Sequence, residues 1–443
     1  MAQASVSATL GRFVAEHRAG TMPDALRASG LRSILNHLGC ALGVARDPAV
    51  VTALAVMRGF AGAPAATVVG QGVRLDAMSA AFVNAVASNL LDYDDTHLDT
   101  VIHPAAPITP PLLALAEQRG LPGSAVIEAF LLGGEVACRI GRAVSPGHYA
   151  RGWHITASCG VFGAAAGAAR LLGLDAVRTG HAIGIAASLS GSIIENLPTA
   201  AKNVGVGNAA RHGLQAALFA QAGWEAAPAA IEGALGWAQA TGGAADLGVL
   251  LDGLGTRWEI ARNTYKPYPA GIVFHAVIEA CLGLRGSIAP EAIARVEVAG
   301  DALLIARGDR VVRNARDARV SIHHCAALGF LRGRAGVLDF EQDAVDDPAL
   351  AAFRAKVVAV EDASLPRGAA RVTAWGADGT RFEARVDEPQ GSEARPMDDD
   401  ALDAKFLDNA AMGGFAGRAA AMLAAVRGLG DAPDAGKVMA LLA

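Results

Sequence analysis

GWHITASCGVFGAAAGAARLLGLD, residues 152–175, is the stretch on which the fold turns. From Ile155 to Ala169 it carries no charge and no proline, and Arg170 closes it. It is too short for a bilayer, which takes about 20 apolar residues, so it reads as a buried core helix. Its glycines and alanines leave little side-chain relief, which suits close helix packing better than a ligand loop. Just ahead of it, His148, Arg151 and His154 are placed either to face a pocket or to cap the helix.

Working outward, apolar residues recur at helical spacing over 24–46, 77–91, 126–144 and 175–190, so these segments read as helices stacked on the first. Hydrophobic residues make up 52% of the chain but aromatics only 5%, so the apolar mass is mostly Ala, Leu, Val and Ile. That composition favours a mainly α protein with an all-helical main domain. Between the first two helices ATVVGQGVRL, residues 66–75, places two β-like runs around Gly-Gln-Gly and predicts a small hairpin.

The pattern changes after Pro267 and Pro269. Residues 294–299 (ARVEVA) alternate, and 371–386 (RVTAWGADGTRFEARV) reads as two strands around an Asp378-Gly379 turn. At 443 residues two domains are expected. The boundaries fall at 1–265 with 396–443 for the helical domain and 266–395 for a smaller α+β domain. After GSEARPMDDD the helical pattern returns, with Asp398 to Asp400 placed to cap the next helix and meet its positive end.

The formal net charge is −5, from 38 basic and 43 acidic residues without long runs. This leaves no footprint for nucleic acid or an anionic membrane surface. Five cysteines, scattered and without a CxxC pair, read as buried free thiols of a reducing compartment rather than disulfides or a zinc site. The N-terminal residues hold no apolar run of signal-peptide length, so a cytoplasmic location is expected.

The densest polar cluster is LLDYDDTHLDTVIHPAAP, residues 90–107, with Asp92, Asp94, Asp95, Thr96, His97, Asp99 and His103 after an apolar helix. Acids beside histidines offer a proton acceptor and a proton donor on what reads as a loop. The competing reading is a solvated acidic turn. A calcium loop would need Gly and an acid where His97 and His103 stand. The spacing of Asp94, Asp95 and Asp99 resembles the Mg²⁺-binding aspartates of isoprenoid synthases, but no second acidic motif and few aromatics accompany it.

In AAKNVGVGNAARHG, residues 200–213, Gly205 and Gly207 form a GxGxxA string that no β-strand precedes, so the dinucleotide fingerprint fails. A helix start presenting Lys202, with Arg211 in support, to an anion is the alternative, set against an ordinary surface lysine. In KPYPAGIVFHAVIEAC, residues 266–281, Tyr265, Lys266 and Tyr268 precede His275, which sits among apolar residues like a satisfied core histidine. The chain has no GxSxG, Walker or HExxH motif.

DYDDTH followed by HP, the 152–175 stretch, the lysine before GNAARHG, KPYP with its histidine, ARVSI and PMDDDALDAKF occur together in one order. In that order the chain resembles the MmgE/PrpD family of 2-methylcitrate dehydratase, cis-aconitate decarboxylase and iminodisuccinate epimerase. The resemblance implies a large helical domain made from both chain ends, a smaller α+β lid, a homodimer, and chemistry without metal or cofactor. Matched by motif, it implies catalytic roles for Asp92, Thr96, His103, Lys202 and His275, with His154, Arg211 and His324 binding substrate. Relatives often carry a tyrosine after ARxS where this chain has His324, exchanging a phenol for a group that titrates near neutrality.

The implied function is a metal-independent lyase acting on a small di- or tricarboxylate. Dehydration of a 2-methylcitrate-like acid leads, with cis-aconitate-type decarboxylation and iminodisuccinate-type epimerisation as alternatives. A Mg-dependent isoprenoid-type enzyme and a non-catalytic carboxylate-binding protein are the readings of other classes. Each of the carboxylate reactions builds electron density beside a carboxylate, which a cation clamp and a placed acid and base would ease. Lys202 is expected to be the clamp, Asp92 and His103 the proton carriers, Thr96 a hydrogen-bond donor, and His275 or His324 a second acid or base.

Overall fold

The computed structural model describes residues 5–197, 199–243 and 245–443. The chain divides into two compact units. The first takes in the chain up to Leu90, Asp94–Asn263 and Asp399–Ala443, and the second takes in Leu91–Tyr93 and Thr264–Asp398.

The framework of the first unit is helical: α1 (Asp24–Gly43), α2 (Ala77–Asn89), α3 (Ala105–Arg119), α4 (Gly123–Val144), α5 (Ile155–Leu171), α6 (Ala176–Leu189) and α7 (Ala201–Gln221). Side-chain caps start several of them. Asp76 Oδ1 accepts from the amides of Met78 and Ser79 at 3.1 and 3.0 Å, and Asp175 accepts from Arg178. The α5 stretch is buried from Ile155 through Ala169.

Small residues let these helices touch through their backbones. A Cβ on Gly133 of α4 would lie 2.4 Å from the Gly163 carbonyl of α5, and one on Gly163 would lie 2.6 Å from the Gly133 carbonyl. On α7, a Cβ at Gly205 would meet Ser192 Oγ at 2.2 Å, and one at Gly207 the Phe82 ring at 2.7 Å. The two glycines of the GxGxxA string therefore serve packing, and no phosphate cradle is needed to explain them.

The expectation of an all-helical domain is overturned. The first unit contains an antiparallel hairpin, β1 (Ala66–Val68) and β2 (Val73–Leu75), with Ala66 opposite Leu75. Gly70 and Gly72 turn it at φ 69° and 63°, a conformation a helix cannot use. A further short strand, β3 (Asp95–His97), lies in the acidic loop. A loop bent by left-handed residues on either side of it cannot extend the helix before it.

The second unit holds a mixed four-stranded sheet of order β5-β4-β6-β7, with β4 (Ile293–Gly300), β5 (Val357–Glu361), β6 (Ala370–Gly376) and β7 (Arg381–Val386). The β4–β5 pair is parallel and the others antiparallel. The hairpin of β6 and β7 turns at Asp378 and Gly379, whose φ is 85°. Helix α8 (His275–Leu284) and the short α9 (Ile322–Ala327) pack with it around Phe274, Ile278, Val296, Phe330 and Val372.

The chain then returns to the first unit as α10 (Asp399–Met412), where Arg32 of α1 reaches Asp399 at 2.8 Å and Gly39 of α1 meets Phe406. Among the described residues no single helix is long and apolar enough to cross a membrane.

Candidate active site

The acidic loop follows α2. Among the described residues, three non-glycine positions have positive φ: Asp92 at 55°, Val101 at 54° and Ser192 at 89°. All three border candidate groups. Asp92 is one itself, Val101 stands two residues before His103, and the Ser192 carbonyl accepts the His154 amide at 3.1 Å. Left-handed backbone at β-branched Val101 stores strain of the order of 1–3 kcal/mol, which the loop's other contacts must hold.

Those contacts are specific. His97 bridges Ile102 in antiparallel fashion, and its Nδ1 lies 2.9 Å from Thr100 Oγ1. Its Nε2 faces Glu259 at 3.8 Å, a carboxyl held down at about 2 chiefly by that histidine and then by Arg142. Asp99 pairs with Arg262 at 2.5 Å. Glu259 and Arg262 thus fasten the loop, whose residues Asp94, Asp95, Thr96 and His97 are buried.

On that inner side Asp94 Oδ1 lies 3.0 Å from His103 Nδ1; the Asp94 side chain is fully buried and that of His103 is 12% exposed. Asn89 Nδ2 donates to Asp94 Oδ2 at 2.6 Å, and Asn203 Nδ2 donates to Asn89 Oδ1 at 3.2 Å. The His103 amide donates to Thr156 Oγ1 at 3.2 Å, so the start of α5 is joined to the loop. His154, at the N-cap of α5, is buried two residues away.

Asp95 is fully buried. Burial first, then the neighbouring Asp94 charge, pushes its carboxyl up to about 7, against hydrogen bonds from Asn263 and the Ala105 amide. His37, also fully buried, is held down at about 3 by burial, with Asp94 acting the other way. Thr96 is buried in β3. The three aspartates of the isoprenoid-like spacing therefore serve separate partners: Asp94 has His103, Asp95 has Asn263, and Asp99 has Arg262.

Lys202 lies in the first turn of α7 and is buried, adjoining Asn203. Arg211 lies nine residues further along the same helix, which at 1.5 Å per residue is roughly 13 Å away. Its guanidinium sits over the Phe82 ring at 5.4 Å, and the structure does not bring the two cations together.

In the second unit Lys266 Nζ donates to the Asp92 carbonyl at 3.0 Å and to its carboxylate at 3.1 Å. Tyr93 Oη donates to the Pro267 carbonyl at 3.1 Å, fastening the same two segments. The Lys266 side chain is 2% exposed and that of Asp92 25%, so the ammonium is buried while its carboxylate partner still meets solvent. Lys266 was named within KPYP but given no role, because nothing local tells a buried ammonium from a surface one.

His275 opens α8 with Nε2 donating to the Ala270 carbonyl at 3.2 Å and the Tyr268 ring edge-on at 5.4 Å. His324 is fully buried; Nε2 meets the Asp339 carbonyl at 2.9 Å and Nδ1 meets Arg354 Nη1 at 3.1 Å. A carbonyl only accepts and a guanidinium only donates, so the tautomer is Nε2–H and both nitrogens are committed to protein partners. Burial, with Arg354 adding to it, holds this histidine down at about 4.

Residues 8–249 match the MmgE/PrpD N-terminal domain and residues 268–429 the MmgE/PrpD C-terminal domain. The chain belongs to the MmgE/PrpD family. At the level of the family its role is that of a lyase. It is 28% identical to the human cis-aconitate decarboxylase over 365 residues, covering 78% of this chain and 75% of that protein. The mouse cis-aconitate decarboxylase is 28% identical over 76% of this chain and 72% of its own length. That of Aspergillus terreus is 31% identical over 60% of this chain and 57% of its own.

Proposed function

We propose that the protein decarboxylates a small unsaturated tricarboxylate of the cis-aconitate type, with His103 delivering the proton that replaces the departing carboxylate. The Asp94–His103 pair carries this reading: a partly exposed imidazole is backed by a fully buried carboxyl at 3.0 Å. The similarity to three cis-aconitate decarboxylases supports the choice of reaction. As carbon dioxide leaves, its bonding electron pair moves into the carbon skeleton toward a remaining carboxylate. A proton from His103 then completes a carbon–hydrogen bond. Lys202, where buried helix amides and the helix dipole add to its charge, holds a substrate carboxylate. Thr96 donates a hydrogen bond to substrate, and His154 binds it.

Hydration or dehydration of a 2-methylcitrate-like acid is the second reading. The Asp92–Lys266 ion pair favours it, because removing water needs a base at carbon and a proton donor at the leaving hydroxyl. In either reading Asp92 and His275 are further acid–base groups, and no metal takes part.

Proton NMR in deuterium oxide with cis-aconitate, 2-methylcitrate, citrate and iminodisuccinate, with and without EDTA, tests both. Carbon dioxide release with new methylene signals, unchanged by EDTA, is the expected result with cis-aconitate. An alkene formed from 2-methylcitrate or citrate without carbon dioxide would move the assignment to a hydro-lyase. Deuterium entering an intact skeleton would make it an epimerase, and four unchanged acids would overturn the proposal.

A further inference from the structure

The hydrogen bonds behind His103 run in one direction. Asn203 donates to Asn89, and Asn89 donates through its amide nitrogen to Asp94, whose other oxygen faces His103 Nδ1. All four side chains belong to the first unit, and Asn89, Asn203 and Asp94 are buried. A carboxylate that accepts on one oxygen from an amide is stabilised as an anion, and an anion can only accept on the other. The imidazole must then place its proton on Nδ1. A protonated Asp94 would instead donate to Nδ1 and leave the ring proton on Nε2, so the ring tautomer reports the state of the carboxyl.

We infer that Asn89 and Asn203 form an amide relay that keeps Asp94 anionic and so fixes His103 as the Nδ1–H tautomer, leaving Nε2 as the nitrogen that exchanges protons with substrate. They are positioning residues, acting through Asp94, in the manner of a buried carboxylate that orients a catalytic imidazole. Asn203 directly follows Lys202 on α7, so the relay also ties the carboxylate clamp and the proton carrier to one rigid set of bonds. The kinetic part of this inference rests on the lyase reading above; the tautomer part does not.

The test uses the full-length protein labelled with ¹⁵N-histidine. Long-range ¹H–¹⁵N spectra report which ring nitrogen carries the proton, and the His103 signals are those lost in His103→Gln. Wild type is expected to keep its Nδ1 proton throughout, with Nε2 the nitrogen that gains and loses a proton as the pH is varied. Asn89→Leu, which keeps volume but removes the amide, should shift His103 to the Nε2–H form or to a mixture. With the best of the four acids it should lower kcat roughly 10- to 100-fold while KM stays within about 3-fold.

Asn203→Ala at the far end should act in the same direction, more weakly. The double variant should be no worse than Asn89→Leu alone, since both cut one chain. If Asn89→Leu does not fold, Asn203→Ala decides. An unchanged His103 tautomer in folded variants overturns the relay, whatever the activity. If wild type converts none of the acids, the lyase reading fails and the spectra still decide the relay.

Discussion

Asn263 Nδ2 lies 2.5 Å from Oδ2 of the fully buried Asp95, and the residue just before Asp95 in the chain, Asp94, is another buried acid. The amide does not offset the cost of that position, and the carboxyl is raised to about 7. A folded-state pKa above the unfolded value means that folded protein binds the extra proton. The stabilising contribution is therefore complete below about pH 4 and is lost as the pH rises toward 7. Asp95→Asn should remove this slope and stabilise the protein above pH 7 by roughly 2–4 kcal/mol. Urea midpoints from pH 4 to 8 measure it; parallel curves for the two proteins would refute it.

Buried histidines give the opposite slope. His324 and His148 are each held at about 4 and His37 at about 3, all below the ordinary value, with burial as the leading cause. Their contribution is complete above about pH 6.5 and falls as the pH drops toward 4. Asp95→Asn, by removing the compensating carboxyl, should sharpen acid unfolding. His324→Gln should soften it, at the expense of stability at pH 7, because Gln can still meet either the Asp339 carbonyl or Arg354. Thermal midpoints from pH 4 to 7.5 follow both effects.

Lys202→Ala and His103→Gln should separate binding from turnover. Removing the buried ammonium should raise KM at least 10-fold and lower kcat as well, since the clamp acts in both ground and transition states. His103→Gln should leave KM within about 3-fold and reduce kcat by roughly 10²- to 10⁴-fold. Unchanged steady-state kinetics in both variants would remove these residues from the mechanism.

Gly163 of α5 has no room for a side chain, because its Cβ would sit 2.6 Å from the Gly133 carbonyl and from Ile108 Cδ1. Gly163→Ala should lower stability by about 1–3 kcal/mol through overpacking, even though alanine is the better helix former. A melting temperature equal to or above wild type would contradict this packing argument.

The helices were legible where apolar period and caps agree. Residues 77–91 resolve to Ala77–Asn89 and 155–172 to Ile155–Leu171, and the Asp378-Gly379 turn joins two strands as its residues demand. The β1–β2 hairpin was legible from its Gly-Gln-Gly turn, but an all-helical domain was still expected from composition, and β3 stayed hidden because its extended shape depends on left-handed residues on either side. The acidic loop was visible as a cluster. Which aspartate backs His103 was not, since Asn89, Thr156 and Asn203 arrive from far along the chain. The relay asparagines carry one faint signal, a poor helix former at the end of α2 and another in the first turn of α7. His324 looked titratable on paper, and only the positions of Arg354 and Asp339 show both its nitrogens engaged.

The strained loop at Val101 also sets an order of events during folding. Three of the bonds that hold it and its surroundings join residues 53, 114 and 168 positions apart, so these cannot form before the helices that carry them have met. Closing such long loops is slow. His103 is therefore expected to take its place only after those helices have met. Regain of activity after dilution from denaturant should trail the recovery of helical signal, with no partly folded species showing fractional turnover.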